Sequence, residues 1–241
     1  MISDYHGRFG AFASLPLPDV PGALRELEYA LDTLQLDSVI LLSNVDGHYA
    51  GDTQHNELLA ELNRRKSVVF IHPNETPELI EKTHGAFAPF LEYPIDTGRA
   101  FARMMYNGAL ERYPDIRFIL AHAGGNVPFL AERIGKLHYM RGKKIRFGKI
   151  IGDLIKKRSS GLDIAKSMYY DIAASTNRYT LRSLQELASP SHILFGTNSG
   201  WTPVSATAAL IEDLQEYDGF EPADLAAVER RSALELFPRF E

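Results

Sequence analysis

Six short apolar runs recur along the chain, and each is nearly continuous rather than alternating with polar residues. A run of that kind is buried on both faces, which is the condition of a strand in a parallel sheet covered by helices. The runs are Arg8–Leu17, Ser38–Ser43, Ser67–His72, Arg117–His122, Met168–Ala173 and Ile193–Thr197. Most are followed by a stretch with helical spacing. In Pro21–Leu34, Leu24, Leu27, Leu31 and Leu34 share one face while Glu and Arg take the other, so an amphipathic helix is expected there. Asp19 is placed to cap it, with Pro21 in its first turn. Strand–helix alternation of this sort predicts βαβ units with right-handed crossovers.

A chain of 241 residues, 45% hydrophobic, carries enough apolar surface for one α/β domain spanning residues 1–241. Its net charge of −5 argues against nucleic acid as a partner. Without cysteine, disulfides, thiolate metal sites and a cysteine nucleophile are excluded. The opening residues show no basic-then-apolar leader, and no uncharged apolar run approaches the roughly 20 residues of a membrane span. A cytoplasmic protein that does not enter a membrane is expected. On that expectation the glycosylation-type triplet Asn74-Glu75-Thr76 is accidental. Lys136–Arg158 is strongly basic within an acidic chain. A solvated helical excursion is the plain reading, and an electropositive rim for an anionic substrate or a partner subunit is the sharper one. No repeat, low-complexity tract, phosphate-binding glycine loop or Gly-x-Ser-x-Gly elbow occurs, which leaves phosphoryl transfer, nicotinamide chemistry and serine hydrolysis unsupported.

The polar residues that punctuate the strand ends carry the chemical interest. Parallel barrels place reactive groups at the C-terminal ends of their strands. There the chain has Ile71-His72-Pro73, Ala121-His122-Ala123-Gly124-Gly125, and Phe195-Gly196-Thr197-Asn198. His122 suits proton transfer near neutral pH, with a structural relic as the competing explanation. Asn198 can hydrogen-bond a carbonyl or carboxylate oxygen, or can simply be a polar turn residue. Asp171 is the one acid inside any of the six runs, able to orient a histidine or hold a cation, or to be a buried structural acid. His122, Asn198 and Asp171 are therefore the candidate catalytic residues. Asn44, Tyr170 and Trp201 are candidate substrate contacts, and His72 can be a metal ligand, a substrate-binding group, or a hydrogen-bonded structural histidine at a strand end. Asp46, His48, Asp52 and His55 follow the second strand and can form a substitute metal site or a solvated loop. Arg99 and Arg103 can pair a carboxylate or line an exposed helix face.

Taken in order, RFGAFASLPL, SVILLSN with Gly47 after it, VVFIHP, RYPDIRFILAHAGG with Pro128, MYYDIAAS, HILFGTN and ALELFPRF resemble the amidohydrolase-related decarboxylases, relatives of aminocarboxymuconate-semialdehyde decarboxylase. The resemblance covers almost the whole chain. It implies a (β/α)8 barrel with one divalent metal, often zinc, held by an N-terminal His-x-His, a His in the IHP motif and an Asp in the FGTD motif. It also implies a catalytic His in the AHxGG motif. Residue by residue, His72 matches the third metal-binding His and His122 the catalytic one. Asn198 stands where the Asp belongs, and Gly200 where a Pro is common.

The departures shape the expectations. The first matching run corresponds to the family's third strand. The family's first two strands, and the His-x-His on the first, have no counterpart in the seven residues before Arg8; Asp4, Tyr5 and His6 do not map onto it. The expected fold is thus α/β, a (β/α)8-type barrel that is truncated or rearranged, with six recognisable parallel strands. A zinc site usually needs three protein ligands, so the family site is incomplete, although zinc or manganese held by replacement ligands stays open. Removing two strands exposes two sheet edges, and a homo-oligomer is expected to cover them. For function, the leading expectation is a decarboxylase-like enzyme acting on a small cyclic, aromatic or unsaturated carboxylate or carbonyl compound. A metal-free isomerase, cyclase or dehydratase type of acid/base chemistry stays open within it. A non-catalytic binding or regulatory relative, and an N-terminally truncated metal-dependent decarboxylase or hydrolase, are the alternatives.

Overall fold

The computed structural model describes residues 5, 7–76, 88–136 and 160–241. In chain order the strands are β1 Phe12–Ser14, β2 Ser38–Leu42, β3 Asn44–Val45, β4 His48–Tyr49, β5 Val68–His72, β6 Arg117–Leu120, β7 Tyr169–Asp171 and β8 Ile193–Leu194. The helices are α1 Val20–Glu28, α2 Asn56–Arg64, α3 Ala88–Asn107, α4 Ala109–Arg112, α5 Val127–Gly135, α6 Ser160–Ser167, α7 Arg178–Gln185, α8 Val204–Glu216, α9 Pro222–Ala226 and α10 Ser232–Leu236. Asp4, His6 and, apart from Lys136, the basic stretch Lys136–Arg158 lie outside the described residues.

Six strands form one sheet in the order β1-β2-β5-β6-β7-β8, every pair parallel. Each strand lies beside its neighbour in sequence, with no reversal of order. A doubly wound sheet reverses at a switch point; a sheet that never does so curls one way, as a barrel wall. The expected α/β architecture with six parallel strands is therefore present. Among the described residues β1 and β8 are not paired with each other, and the wall is an open arc.

Local rules explain most boundaries. Asp19 caps α1, its carboxylate accepting from the Gly22 amide at 3.0 Å, with Pro21 in the first turn. The helix runs on through a π-helical turn, Tyr29–Thr33. The strands are shorter than the apolar runs that announce them. Leu15–Pro18 leaves β1 because prolines cannot donate to a ladder, and β6 stops at Leu120 because His122 and Ala123 turn at φ 55° and 56°. Gly108, at φ 71°, separates α3 from α4. An antiparallel pair, β3–β4, occupies what reads as a plain loop. Its Asp46-Gly47 turn has both φ values positive (51° and 78°), the two-residue hairpin signature.

Side-chain parity divides the sheet. Val39, Leu41, Val69, Ile71, Phe118, Leu120, Tyr170 and Ile193 pack against the helices in the main core. Val68, Ile119 and Leu194 point to the opposite, concave side, where Leu236, Phe237, Phe70 and Tyr169 join them. Phe12 meets Phe237 there at 5.6 Å between ring centroids. The C-terminal segment thus fills the concave side near the N-terminal ends of the strands. Beyond it, toward the C-terminal ends, Leu42 stays 40% exposed on the same side as His72.

The helix-side core carries most of the apolar burial. Leu62 of α2 is fully buried, whereas Leu34 is half exposed. Leu62→Ala is expected to destabilise the fold by about 2–5 kcal/mol and Leu34→Ala by less than about 0.5 kcal/mol, measured by urea titration of the two variants.

Candidate active site

Two histidines meet at the C-terminal ends of adjacent strands. His72 ends β5, and His122 follows β6 by two residues. Their rings lie 5.4 Å apart between centroids in a T-shaped arrangement, and Tyr93 of α3 stands 6.1 Å from His72 on another side. Each imidazole is anchored the same way. His72 Nδ1 lies 2.8 Å from the Pro73 carbonyl, and His122 Nδ1 lies 2.9 Å from the Ala173 carbonyl. A carbonyl oxygen only accepts, so in both rings Nδ1 carries the hydrogen and donates it. Nε2 is left on each as the atom able to accept a proton, donate one when charged, or bind a ligand. Burial, and then the neighbouring His122, hold His72 below its ordinary pKa, which favours the neutral ring.

The loop that presents His122 is unusual. His122, Ala123, Gly124 and Gly125 have φ values of 55°, 56°, 71° and 60° in succession. Left-handed backbone at the first two, non-glycine positions costs of order 1–3 kcal/mol each, so surrounding structure must impose it. The turn closes through Gly124 N to Ala121 O at 3.0 Å and Gly125 N to His122 O at 2.9 Å. A Cβ on Gly124 would lie 2.7 Å from the Tyr170 ring, and one on Gly125 would strike the Pro94 carbonyl oxygen. Asp171 Oδ1 accepts from the Ala173 amide at 3.0 Å and more weakly from the His122 amide at 3.4 Å. Burial raises the Asp171 pKa, against the pull of these amides and of His122. The carboxyl thus braces the loop from below, with Gly196 packed against its other oxygen.

The remaining candidates are scattered. Tyr170 lies on the helix side of the sheet, fully buried, its hydroxyl donating to the Ala165 carbonyl at 2.6 Å. Adjacent strand residues face opposite ways, so Asp171 takes the concave side and Tyr170 cannot meet a substrate there. It is a wedge beneath the Gly124 turn. Trp201 is 90% exposed. The Asn198 carbonyl accepts from the Trp201 and Thr202 amides, closing a tight turn that throws the indole outward. Asn198 itself is half-buried at φ 56°, and among the described residues its carboxamide makes no hydrogen bond. Asn44 is fully buried, its amide donating to Asp96 at 3.0 Å and to the Asn74 carbonyl at 3.1 Å. Asp96 was not among the sequence candidates. It lies in mid-helix, about fifty residues from the groups it touches, and no local pattern marks it.

The Asp46–His55 segment does not gather ligands. His55 is buried with Nδ1 on the Tyr49 carbonyl at 3.1 Å, and Asp52 takes Arg103 at 2.7 Å and the Tyr49 amide at 3.1 Å. Arg99 stands 3.9 Å from Asp96. Among the described residues no three His, Asp or Glu side chains converge on one point. Among the described residues His72 and His122 offer one nitrogen each and Asn198 a neutral carbonyl, and no third His, Asp or Glu joins them, so the set falls short of a usual zinc site.

Residues 1–239 match the amidohydrolase family. The chain belongs to that family. Within it, the chain is 36% identical to decarboxylase macB of Penicillium terrestre, over 97% of this chain and 69% of the other. It is 34% identical to 6-methylsalicylic acid decarboxylase of Penicillium expansum, over 96% and 69% of the two chains. In three dimensions it superposes on 2,6-dihydroxybenzoate decarboxylase from Rhizobium with a TM-score of 0.79, covering 98% of this chain and 73% of that one. Identity there is 21%, and the likeness is one of fold. The amidohydrolase fold and the place among decarboxylase relatives agree with the motifs read from the sequence. Among the described residues no helix is long and apolar enough to cross a membrane.

Two histidines away from this site make a pH prediction. Burial holds both His55 and His192 below the usual 6.5. A histidine with a depressed folded-state pKa contributes stability that is complete above its unfolded value and is lost as pH falls through the folded one. The melting temperature of His192→Gln is therefore expected to fall less than that of the native chain between pH 7.5 and 5.5, by thermal scans at constant ionic strength.

Proposed function

We propose that the chain is a decarboxylase-like enzyme whose substrate is a small aromatic carboxylate, with His122 as the group that moves the proton. The observation that carries this reading is the facing pair His72 and His122. Both are locked by Nδ1 to backbone carbonyls, and both stand at the strand ends of a chain related to a 6-methylsalicylic acid decarboxylase.

The chemistry asked of the residues is modest. Decarboxylation of a hydroxylated benzoate needs a proton delivered to the ring carbon that bears the carboxylate. The C–C bond then breaks, its electron pair restores the aromatic ring, and carbon dioxide leaves. The proton cancels the negative charge of the carboxylate, so the arene and the carbon dioxide both leave neutral, and the donor, left neutral, regains its proton from solvent. His122 in its charged form donates that proton from Nε2, the one nitrogen not committed to the backbone. Neutral His72 and the Asn198 carboxamide position the substrate's oxygens, and the exposed face of Leu42 offers an apolar surface beside His72. Asp171 steadies the His122 loop. No step is assigned to a metal, because the donors among the described residues do not complete a site.

The test is incubation of the purified chain with 6-methylsalicylate and with 2,6-dihydroxybenzoate, without and with added zinc or manganese. Carbon dioxide and the corresponding phenol are quantified. Release of both in equal amounts supports the reading. Their absence with every aromatic carboxylate tried, in folded protein, overturns it.

A further inference from the structure

Asp96 is 1% exposed, yet it is ringed by donors rather than by a single ion-pair partner. The Ser43 hydroxyl donates to Oδ2 in a short contact, the Asn44 amide donates to the same oxygen at 3.0 Å, and the Tyr49 hydroxyl donates to Oδ1 at 2.6 Å. The Arg99 guanidinium stands 3.9 Å away. A buried carboxylate collecting this many hydrogen bonds fixes its partners in place.

Two of those partners hold the residue after Pro73. Ser43 Oγ accepts from the Asn74 amide at 2.9 Å, the Asn44 side chain donates to the Asn74 carbonyl at 3.1 Å, and the Asn74 side chain returns a bond to the Asn44 carbonyl at 3.2 Å. The Ser43 amide also donates to the His72 carbonyl at 2.7 Å. His72-Pro73-Asn74 is thus gripped on both sides of the Pro73 carbonyl, the group that receives His72 Nδ1. Supporting hydrogen bonds of this kind set which imidazole nitrogen carries the proton.

We propose that Asp96 is a positioning residue: through Ser43, Asn44 and Asn74 it fixes the Pro73 carbonyl and thereby holds His72 as the Nδ1–H tautomer, with Nε2 directed to the site. The link from this posture to turnover rests on the decarboxylase reading above; the posture itself does not.

The experiment separates the two. The whole chain is labelled with ¹⁵N-histidine, and imidazole tautomers are read by long-range ¹H–¹⁵N correlation at pH 8, with His72→Gln assigning the His72 signals. In the native chain His72 is expected as Nδ1–H. In Asp96→Asn, and in the milder Ser43→Ala, it is expected to relax toward a mixture rich in Nε2–H. His122, anchored to Ala173 instead, keeps its tautomer and serves as the internal control. A His72 spectrum unchanged in both folded variants overturns the proposal. So does parallel relaxation of His122, because the effect is then general loosening. With an active native enzyme, kcat is expected to fall about tenfold or more with KM little changed. Relaxed His72 with undiminished kcat leaves the positioning intact and removes His72 from the reaction.

Discussion

His122→Gln is expected to lower kcat for the decarboxylated aromatic acid by about 10²–10⁴-fold, the usual worth of a general acid or base, with the far-ultraviolet circular dichroism unchanged. Glutamine keeps a donor of similar reach, so the bond to the Ala173 carbonyl can persist. What is lost is a ring nitrogen that can carry and hand over a proton, since an amide does neither. The histidine sits in a turn held by its own backbone bonds and by Asp171 rather than by its ring alone. The variant should therefore fold, and the loss is read as chemistry. Equal turnover by His122→Gln and the native chain would remove His122 from the proton path.

The second large effect is on folding. Gly125→Ala is expected to destabilise the protein by about 3 kcal/mol or more, because two penalties coincide. Its backbone sits at φ 60°, ψ −118°, a region that side chains disfavour, and a Cβ there would meet the Pro94 carbonyl of α3. That same carbonyl accepts the Asn126 amide at 3.1 Å, so α3 cannot withdraw without losing a bond. Gly47→Ala is the matched control. It also has positive φ, 78°, but open space around its Cβ, and should lose only about 1 kcal/mol, the conformational part. Denaturant midpoints of the two variants separate backbone strain from collision. If the two are equal, the packing of α3 on the Gly-Gly turn does not constrain the site as described.

Much of the architecture was visible in the sequence because buried parallel strands announce themselves as continuous apolar runs. All six were located, and their ends brought His72 and His122 to the right face. The same continuity hid which side each residue takes. In Tyr169-Tyr170-Asp171 nothing in composition distinguishes the helix-facing tyrosine, which wedges beneath Gly124, from the acid on the concave side. For Trp201 a strand end locates the backbone, but a tight turn at Asn198 decides where the side chain goes. Asn44 reads as a free amide after a strand until Asp96 is placed beside it. Contacts of that kind, between a helix and a strand end about fifty residues apart, leave no periodic trace.

The parity of the sheet has an implication for how such a chain changes over generations. Along β5, Val69 and Ile71 belong to the helix-side core while Phe70 and His72 face the concave side. Adjacent residues therefore answer to different demands, one set to packing against the helices and the other to the concave side where the two histidines stand. Substitution at Leu42, an inward position already 40% exposed, can alter the concave face without opening a void among the helices. A mutational scan of β2 and β5 should therefore show tolerance alternating residue by residue.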